Sequence, residues 1–148
     1  MTSIRPAADE DIPMVAALSR DWEQEGVTIG QRADTPAELA AKLGPWFLVA
    51  CRGQNILGFV TAAERALAPG EWVVQPDGGR CLSIEDLYVV PHHRREGLGT
   101  RLYKSVVANA ATQGIRHVSV YTASQPWGDA IAFYESLGLR VWFIQLHA

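Results

Sequence analysis

The sequence predicts a mixed α/β layer fold in a single domain. Three observations carry this. At 148 residues, with 48% hydrophobic and 20% charged content, the chain suits one domain with its own core. Strand-type apolar runs and helix-spaced apolar runs follow one another in the order β-α-α-β-β-β-α-β-α-β. The best-defined strand, Cys81 to Val90, is stopped by Pro91 and leads through a glycine-bearing turn into an amphipathic helix, as in a sheet covered by helices.

Each element has its own signal. Ser3 to Arg5 is a short strand stopped by Pro6. Asp9-Glu10-Asp11 supplies N-cap chemistry for a helix with Ile12, Val15, Leu18 and Trp22 at helical spacing, and Pro13 is tolerated in its first turn. Glu23 to Arg32, polar and glycine-bearing, reads as a loop. In Thr35-Pro36-Ala37-Glu38 the Thr is an N-cap, the Pro fits the first turn and the Glu closes a capping box. Gly44-Pro45 ends that short helix. Trp46 to Arg52 and Ile56 to Glu64, joined by Gly53-Gln54-Asn55, read as a hairpin. Arg65 to Arg80 is a long connection with a candidate strand at Glu71 to Gln75. After Cys81 to Val90, a helix from Gly97 to about Gln113 puts Leu98, Leu102, Tyr103, Val106, Val107 and Ala110 on one face. His117 to Tyr121 is a strand, Asp129 to Leu137 a short helix capped by Gly138, and Arg140 to Leu146 a final strand.

Composition narrows the function. A net charge of −3 argues against a general nucleic-acid binder, which carries a basic face. No run approaches a membrane span and the N-terminus lacks the apolar core of a signal peptide, so a cytoplasmic protein without membrane partners is expected. Cys51 and Cys81 lie in apolar segments and read as buried free thiols rather than a disulfide framework. His92-His93 is no metal pair, because adjacent residues rarely share one ion, and no metal is expected.

Arg94-Arg95-Glu96-Gly97-Leu98-Gly99-Thr100 lies at a strand-to-helix junction and has the makings of an anion site. The first N–H groups of a helix lack internal partners and sit at the positive end of its dipole. Gly97 and Gly99 let a phosphate approach the backbone, and the two arginines add fork-shaped donors. A Walker loop is excluded, since one residue rather than four separates the glycines and no Lys follows. The dinucleotide fingerprint is excluded because Leu102 stands where its third glycine belongs. What remains is R-x-x-G-x-G: Arg94, Gly97 and Gly99.

This pattern resembles the coenzyme A loop of the GNAT superfamily of N-acetyltransferases, Q/R-x-x-G-x-G/A. A second stretch, Ala130-Ile131-Ala132-Phe133-Tyr134-Glu135-Ser136-Leu137-Gly138-Leu139, resembles the family's later motif A-I-x-x-Y-E-x-L-G-F. The order of elements matches too, so the resemblance covers essentially the whole chain. It implies a GNAT-like mixed central sheet flanked by helices. In that sheet the parallel strands Cys81 to Val90 and His117 to Tyr121 splay to admit the pantetheine arm of acetyl-CoA, the co-substrate. By resemblance, the backbone amides of Arg95, Glu96, Gly97, Leu98, Gly99 and Thr100 hold the pyrophosphate with the Arg94 and Arg95 side chains. The backbone of Leu87 and Val89 would bind the arm, with the Val89 N–H facing the thioester oxygen. Tyr134 would be the general acid that protonates the departing thiolate. One departure is Trp127, where many members carry an Asn that touches the cofactor arm; Ser124 or Gln125 offers a polar substitute.

Glu85 and Asp86 are adjacent carboxylates inside an apolar strand, which is costly unless they have a task. Strand alternation sends them to opposite faces unless a bulge intervenes. The run Glu85-Asp86-Leu87-Tyr88-Val89 resembles that of spermidine/spermine-type acetyltransferases. The resemblance makes Glu85 the base, acting through water, and Asp86 a ligand of the amine. Trp22, Trp72 and Trp127 border the acceptor cleft in the family and, with Asp21, Glu23 and Glu25, offer an acidic-aromatic pocket for a cation. The implied activity is acetyl transfer to a primary amine of a small molecule by direct attack. Three readings compete with it: a peptide N-terminus or lysine as acceptor, a non-catalytic acyl-CoA sensor, and a protein-interaction module, against which the intact phosphate motif argues. Many relatives dimerise, often through late strands, and Trp142 and Phe143 suit a homodimer contact.

Overall fold

In the computed structural model, which describes residues 1–148, five strands form one mixed sheet in the sequential order β1-β2-β3-β4-β5. They are β1 (Ser3–Pro6), β2 (Phe47–Arg52), β3 (Asn55–Leu67), β4 (Gly79–Val89) and β5 (His117–Val120). The first four pair antiparallel, and β4 pairs parallel with β5. The helices are α1 (Ile12–Glu25), α2 (Pro36–Ala41), α3 (Leu98–Thr112) and α4 (Trp127–Ser136).

Alternation along β2 divides the core into two layers. Phe47, Val49 and Cys51 face α1 and α2, where they meet Ile12, Val15, Leu18, Trp22 and Leu39. Leu48 and Ala50 face α3 and meet Leu102, Tyr103, Val106 and Ala110. The helical spacing in the sequence is thus the spacing of the buried faces. The capping box of α2 is made: the Glu38 N–H donates to Thr35 Oγ1 at 3.2 Å, and the Thr35 N–H to Glu38 Oε2 at 2.7 Å. Such a cap stabilises a short helix by about 1 kcal/mol.

Three expectations need correction. Helix α1 continues to Glu25, because Trp22 is buried in the core and pulls the polar turn after it into the helix; Gly26, in the left-handed conformation, ends it. Glu71 to Gln75 is not a strand. It closes on itself as a turn, with a bridge between Trp72 and Gln75, while β3 and β4 lengthen to Leu67 and Gly79. Arg140 to Leu146 does not join the sheet. The segment makes no backbone hydrogen bond to β5, and Val141, Phe143, Ile144 and Leu146 stay at least half exposed. Its strand-type composition expresses a fit to a pleated surface that only a partner strand satisfies. Its aromatic contacts are Trp142 with Trp72 and Phe143 with Tyr121.

Two irregularities in β4 shape the site. Thr61 pairs with Asp86 and Ala62 with Ile84, so Glu85 is an unpaired bulge residue. On the other edge, pairing with β5 runs from Cys81–His117 to Ile84–Val120 and stops. Beyond that point the strands part.

Candidate active site

The parting of β4 from β5 opens a cleft of about 700 Å³. One wall is β4 at Leu87 to Val89. The other is the chain after β5 (Thr122, Ser124, Gln125) together with α4 (Asp129, Phe133, Tyr134). No residue of α4 is fully buried, which fits a helix whose inner face looks into an opening. The Val90 N–H donates to the Leu57 carbonyl at 2.9 Å. Alternation therefore sends the backbone groups of Leu87 and Val89 to the opposite edge, into the cleft.

At one end the cleft reaches the turn before α3. Arg95 has φ 65° and Gly97 φ 78°, two left-handed residues in the turn. A positive φ is strained for a residue with a side chain, and such strain concentrates at functional turns. The first hydrogen bond of the helix is Arg101 N–H to Gly97 carbonyl at 3.0 Å, so the amides of Arg95 through Thr100 precede the ladder. At Gly99 an added Cβ would lie at ordinary contact distance, 3.5 Å, from the Phe133 ring, so α3 starts close beside α4. This cradle fits a pyrophosphate. The Glu96 side chain turns elsewhere, to His93 Nδ1 at 3.3 Å and toward Arg52 at 3.8 Å.

Tyr134 lines the cleft, and burial pushes its phenol up to about 12, with Tyr103 adding in the same direction. The cleft is also walled by Trp22, Val27 and Thr28. There the Trp22 Nε1–H donates to Thr28 Oγ1 at 2.9 Å, and Thr28 Oγ1 lies 3.0 Å from Ser124 Oγ. The backbone adds two bonds, Ile29 N–H to Ala123 carbonyl and Gln125 N–H to Val27 carbonyl. Residues 27–29 thus strap across to residues 123–125, a contact nothing in the linear sequence announces.

The bulge turns Glu85 and Asp86 to one side of the sheet, toward α2. Lys42, just past α2, lies 2.8 Å from Asp86 Oδ2, 2.9 Å from Asp34 Oδ2 and 4.0 Å from Glu85 Oε2. Thr61 also donates to Asp86. Burial works against the Lys42 ammonium, but Asp86 and Asp34 outweigh it and hold its pKa above the usual value. Glu85 lines a second hollow of about 600 Å³ with Asp34, Lys42 and Trp46 and is not among the residues walling the larger cleft. The structure brings together Leu87, Val89, Arg94, Arg95, Gly97, Leu98, Gly99, Thr100, Tyr134 and Trp22, and it sets Glu85 and Asp86 apart from them behind β4. Trp127 is about half exposed at the start of α4, and Trp72 packs on Trp142, so the three tryptophans do not form one pocket. Ser124 and Gln125 do reach the cleft wall.

A cleft that holds both a turn of open amides and a part-buried phenol has room and donors for a phosphorylated, extended ligand. Residues 12–139 match the Acetyltransferase (GNAT) family, and the chain belongs to that family of acetyl-CoA-dependent acyltransferases. Its fold is shared with a predicted acetyltransferase from Clostridium acetobutylicum bound to acetyl-CoA (20% identity over 99% of this chain and 96% of that one, TM-score 0.75). It is also shared with an aminoglycoside acetyltransferase from an uncultured soil sample in complex with sisomicin (20% identity, 99% and 95% covered, TM-score 0.71). A third similar structure is N-acetylglutamate synthase from Neisseria gonorrhoeae with coenzyme A and N-acetylglutamate (25% identity, 90% of this chain but 28% of that one, TM-score 0.69). No curated protein matches the sequence significantly. No helix is long and apolar enough to cross a membrane.

Proposed function

We propose that the chain acetylates the primary amine of a small molecule by direct attack, with acetyl-CoA as donor. The observation that carries this is the single cleft that joins the open amides of Arg95 to Thr100 to the Tyr134 phenol. Acetyl-CoA supplies an acetyl group activated as a thioester. The Arg95 to Thr100 amides and the Arg95 guanidinium hold its phosphates. The Leu87 and Val89 backbone orients its arm, and the Val89 N–H offers a donor for developing negative charge on oxygen. Tyr134 keeps its hydroxyl proton at neutral pH and delivers it to sulfur. Glu85, the more exposed of the two bulge carboxylates, accepts the ammonium proton through water from the acceptor side.

The acidic excess of Asp34, Glu85 and Asp86 over the single Lys42 favours a cationic acceptor. The similar fold that binds sisomicin supports a small amine over a peptide. Neither cysteine is suited to carry the acetyl group: burial pushes both thiols up, away from the reactive thiolate. The test is thiol release from acetyl-CoA against polyamines, aminoglycosides, amino acids and short peptides. Release with a small amine is expected. Release with peptides alone would replace the acceptor class, and a trapped acetyl-protein would overturn direct attack.

A further inference from the structure

Arg94 opens the R-x-x-G-x-G pattern, yet its guanidinium is bound within the protein. Its Nε–H donates to the Val89 carbonyl at 2.8 Å, and its Nη2 reaches both oxygens of Glu25 at 2.8 Å. The group also lies 5.4 Å over the Tyr88 ring, and the Tyr88 hydroxyl donates to Glu25 Oε1 at 2.6 Å. Glu25, mostly shielded from solvent, thus accepts from both partners. Arg95 makes none of these contacts, and its backbone adopts the left-handed conformation that forms the cradle.

We propose that Arg94 is a positioning residue rather than a phosphate ligand: it clamps the end of α1 to the end of β4, and the phosphate-binding charge falls to Arg95. Glu25 is the last residue of α1, and the strap at residues 27–29 follows immediately. Holding Glu25 fixes where that strap crosses to residues 123–125, and so where Val27, Thr28 and Trp22 wall the cleft. One side chain beside the phosphate turn thereby sets a neighbouring wall of the cleft. A planar guanidinium is needed for this. An ammonium is a point donor that does not span a carbonyl and both carboxylate oxygens while covering an aromatic face.

The inference rests on coenzyme A binding in this cleft, and its test separates the two. Coenzyme A affinity is measured by calorimetry and amide hydrogen exchange is followed at Ile29 and Gln125, the two bonded amides of the strap, in the ligand-free protein, for Arg94→Gln, Arg94→Lys, Glu25→Gln and Arg95→Gln. Local opening raises exchange without global unfolding. Arg94→Gln, Arg94→Lys and Glu25→Gln are each expected to speed exchange there by about tenfold or more, and Arg94→Gln with Glu25→Gln combined to do little more than either alone. Coenzyme A affinity is expected to fall by about tenfold for Arg95→Gln and to stay within about threefold for Glu25→Gln and Arg94→Lys. Unchanged exchange in the Arg94 variants overturns the clamp. So does a large loss of affinity in Arg94→Gln that Arg94→Lys restores and Glu25→Gln does not share. If the wild-type chain fails to bind coenzyme A, the proposed function falls, and hydrogen exchange alone decides the clamp.

Discussion

Tyr134→Phe isolates the chemical step, because it removes one hydroxyl and little else. The phenol lines the open cleft, and its ring packs edge-on against Phe133 with centroids 5.0 Å apart, a contact that phenylalanine keeps. Folding stability is expected to change by no more than about 0.5 kcal/mol, a Tm shift of roughly 1–2 °C for a chain of this size. The rate is expected to change far more. A positioned proton donor is worth about 10²–10⁴-fold, or roughly 3–5 kcal/mol of barrier. Burial pushes the phenol up to about 12, so the donor stays protonated across the neutral range and gives kcat no alkaline limb of its own there. The same shift has a sign in stability. The folded pKa lies above the unfolded value of about 10, so folding favours the neutral form. That contribution is complete below about pH 10 and is lost as the pH climbs toward 12, and the variant lacks this alkaline loss. The assay is thiol release at saturating acetyl-CoA, beside calorimetric coenzyme A affinity and a thermal melt. A kcat within about threefold of wild type, in a variant that folds and binds coenzyme A, would refute the donor role and leave Tyr134 a wall of the cleft.

Three further perturbations probe the scaffold. A Cβ at Gly58 would sit 2.5 Å from the Tyr88 carbonyl oxygen and 3.2 Å from Val89 Cα. Gly58→Ala is therefore expected to force β3 and β4 apart beside the cleft, cost about 1–3 kcal/mol in a melt and weaken coenzyme A binding in calorimetry. Asp11 accepts two hydrogen bonds from Arg5, at 2.6 and 2.9 Å, which hold its carboxyl below the usual range. The stability it contributes is present above about pH 4 and lost as the pH falls further; with Arg5 half exposed, Asp11→Asn is expected to cost about 2 kcal/mol near neutrality, and the gap to wild type narrows in acid melts. Lys42 has a raised pKa, so its contribution is present below about pH 10 and lost as the pH rises through the folded value. Lys42→Met leaves Asp34, Glu85 and Asp86 without their cation and is expected to cost about 2–3 kcal/mol at pH 7, read as a lower denaturant midpoint, with a smaller difference at high pH.

What the sequence discloses follows the range of the interactions. The capping box at Thr35 and Glu38, the buried stripe from Ile12 to Trp22 and the helix N-terminus after Gly97 are local, so residue spacing alone announces them. The sidedness of Glu85 and Asp86 was legible as a condition: both face one way only if a bulge intervenes, and the bulge is there. What stayed hidden is non-local. Lys42 and Asp86 are 44 positions apart, and no pattern in either segment says that the cation sits on the carboxylates. Glu25 reaches Arg94 across 69 positions, and Thr28 reaches Ser124 across 96. The segment after Arg140 has strand-type composition yet stays unpaired beside the free edge of β5, since β composition states a preference and does not by itself bring about pairing.

The two breaks in β4 fall at the same place, and this is what makes a site of an otherwise regular sheet. Pairing with β5 ends at Ile84, and the bulge against β3 is the next residue, Glu85. A bulge bends its strand and sharpens the local twist, so the half of β4 after Glu85 leaves on a course β5 does not share. The backbone edge freed at Leu87 and Val89 would be a liability if it faced solvent in a flat sheet. Here it faces the cleft, which Arg95, the residues from Gly97 to Thr100 and Tyr134 also line. The same extra residue shifts side-chain parity, so that Ile84 and Leu87 both lie on the α3 face while Glu85 and Asp86 turn together toward Lys42. One inserted residue therefore gathers an acidic cluster at Lys42 beside the strand edge that lines the cleft.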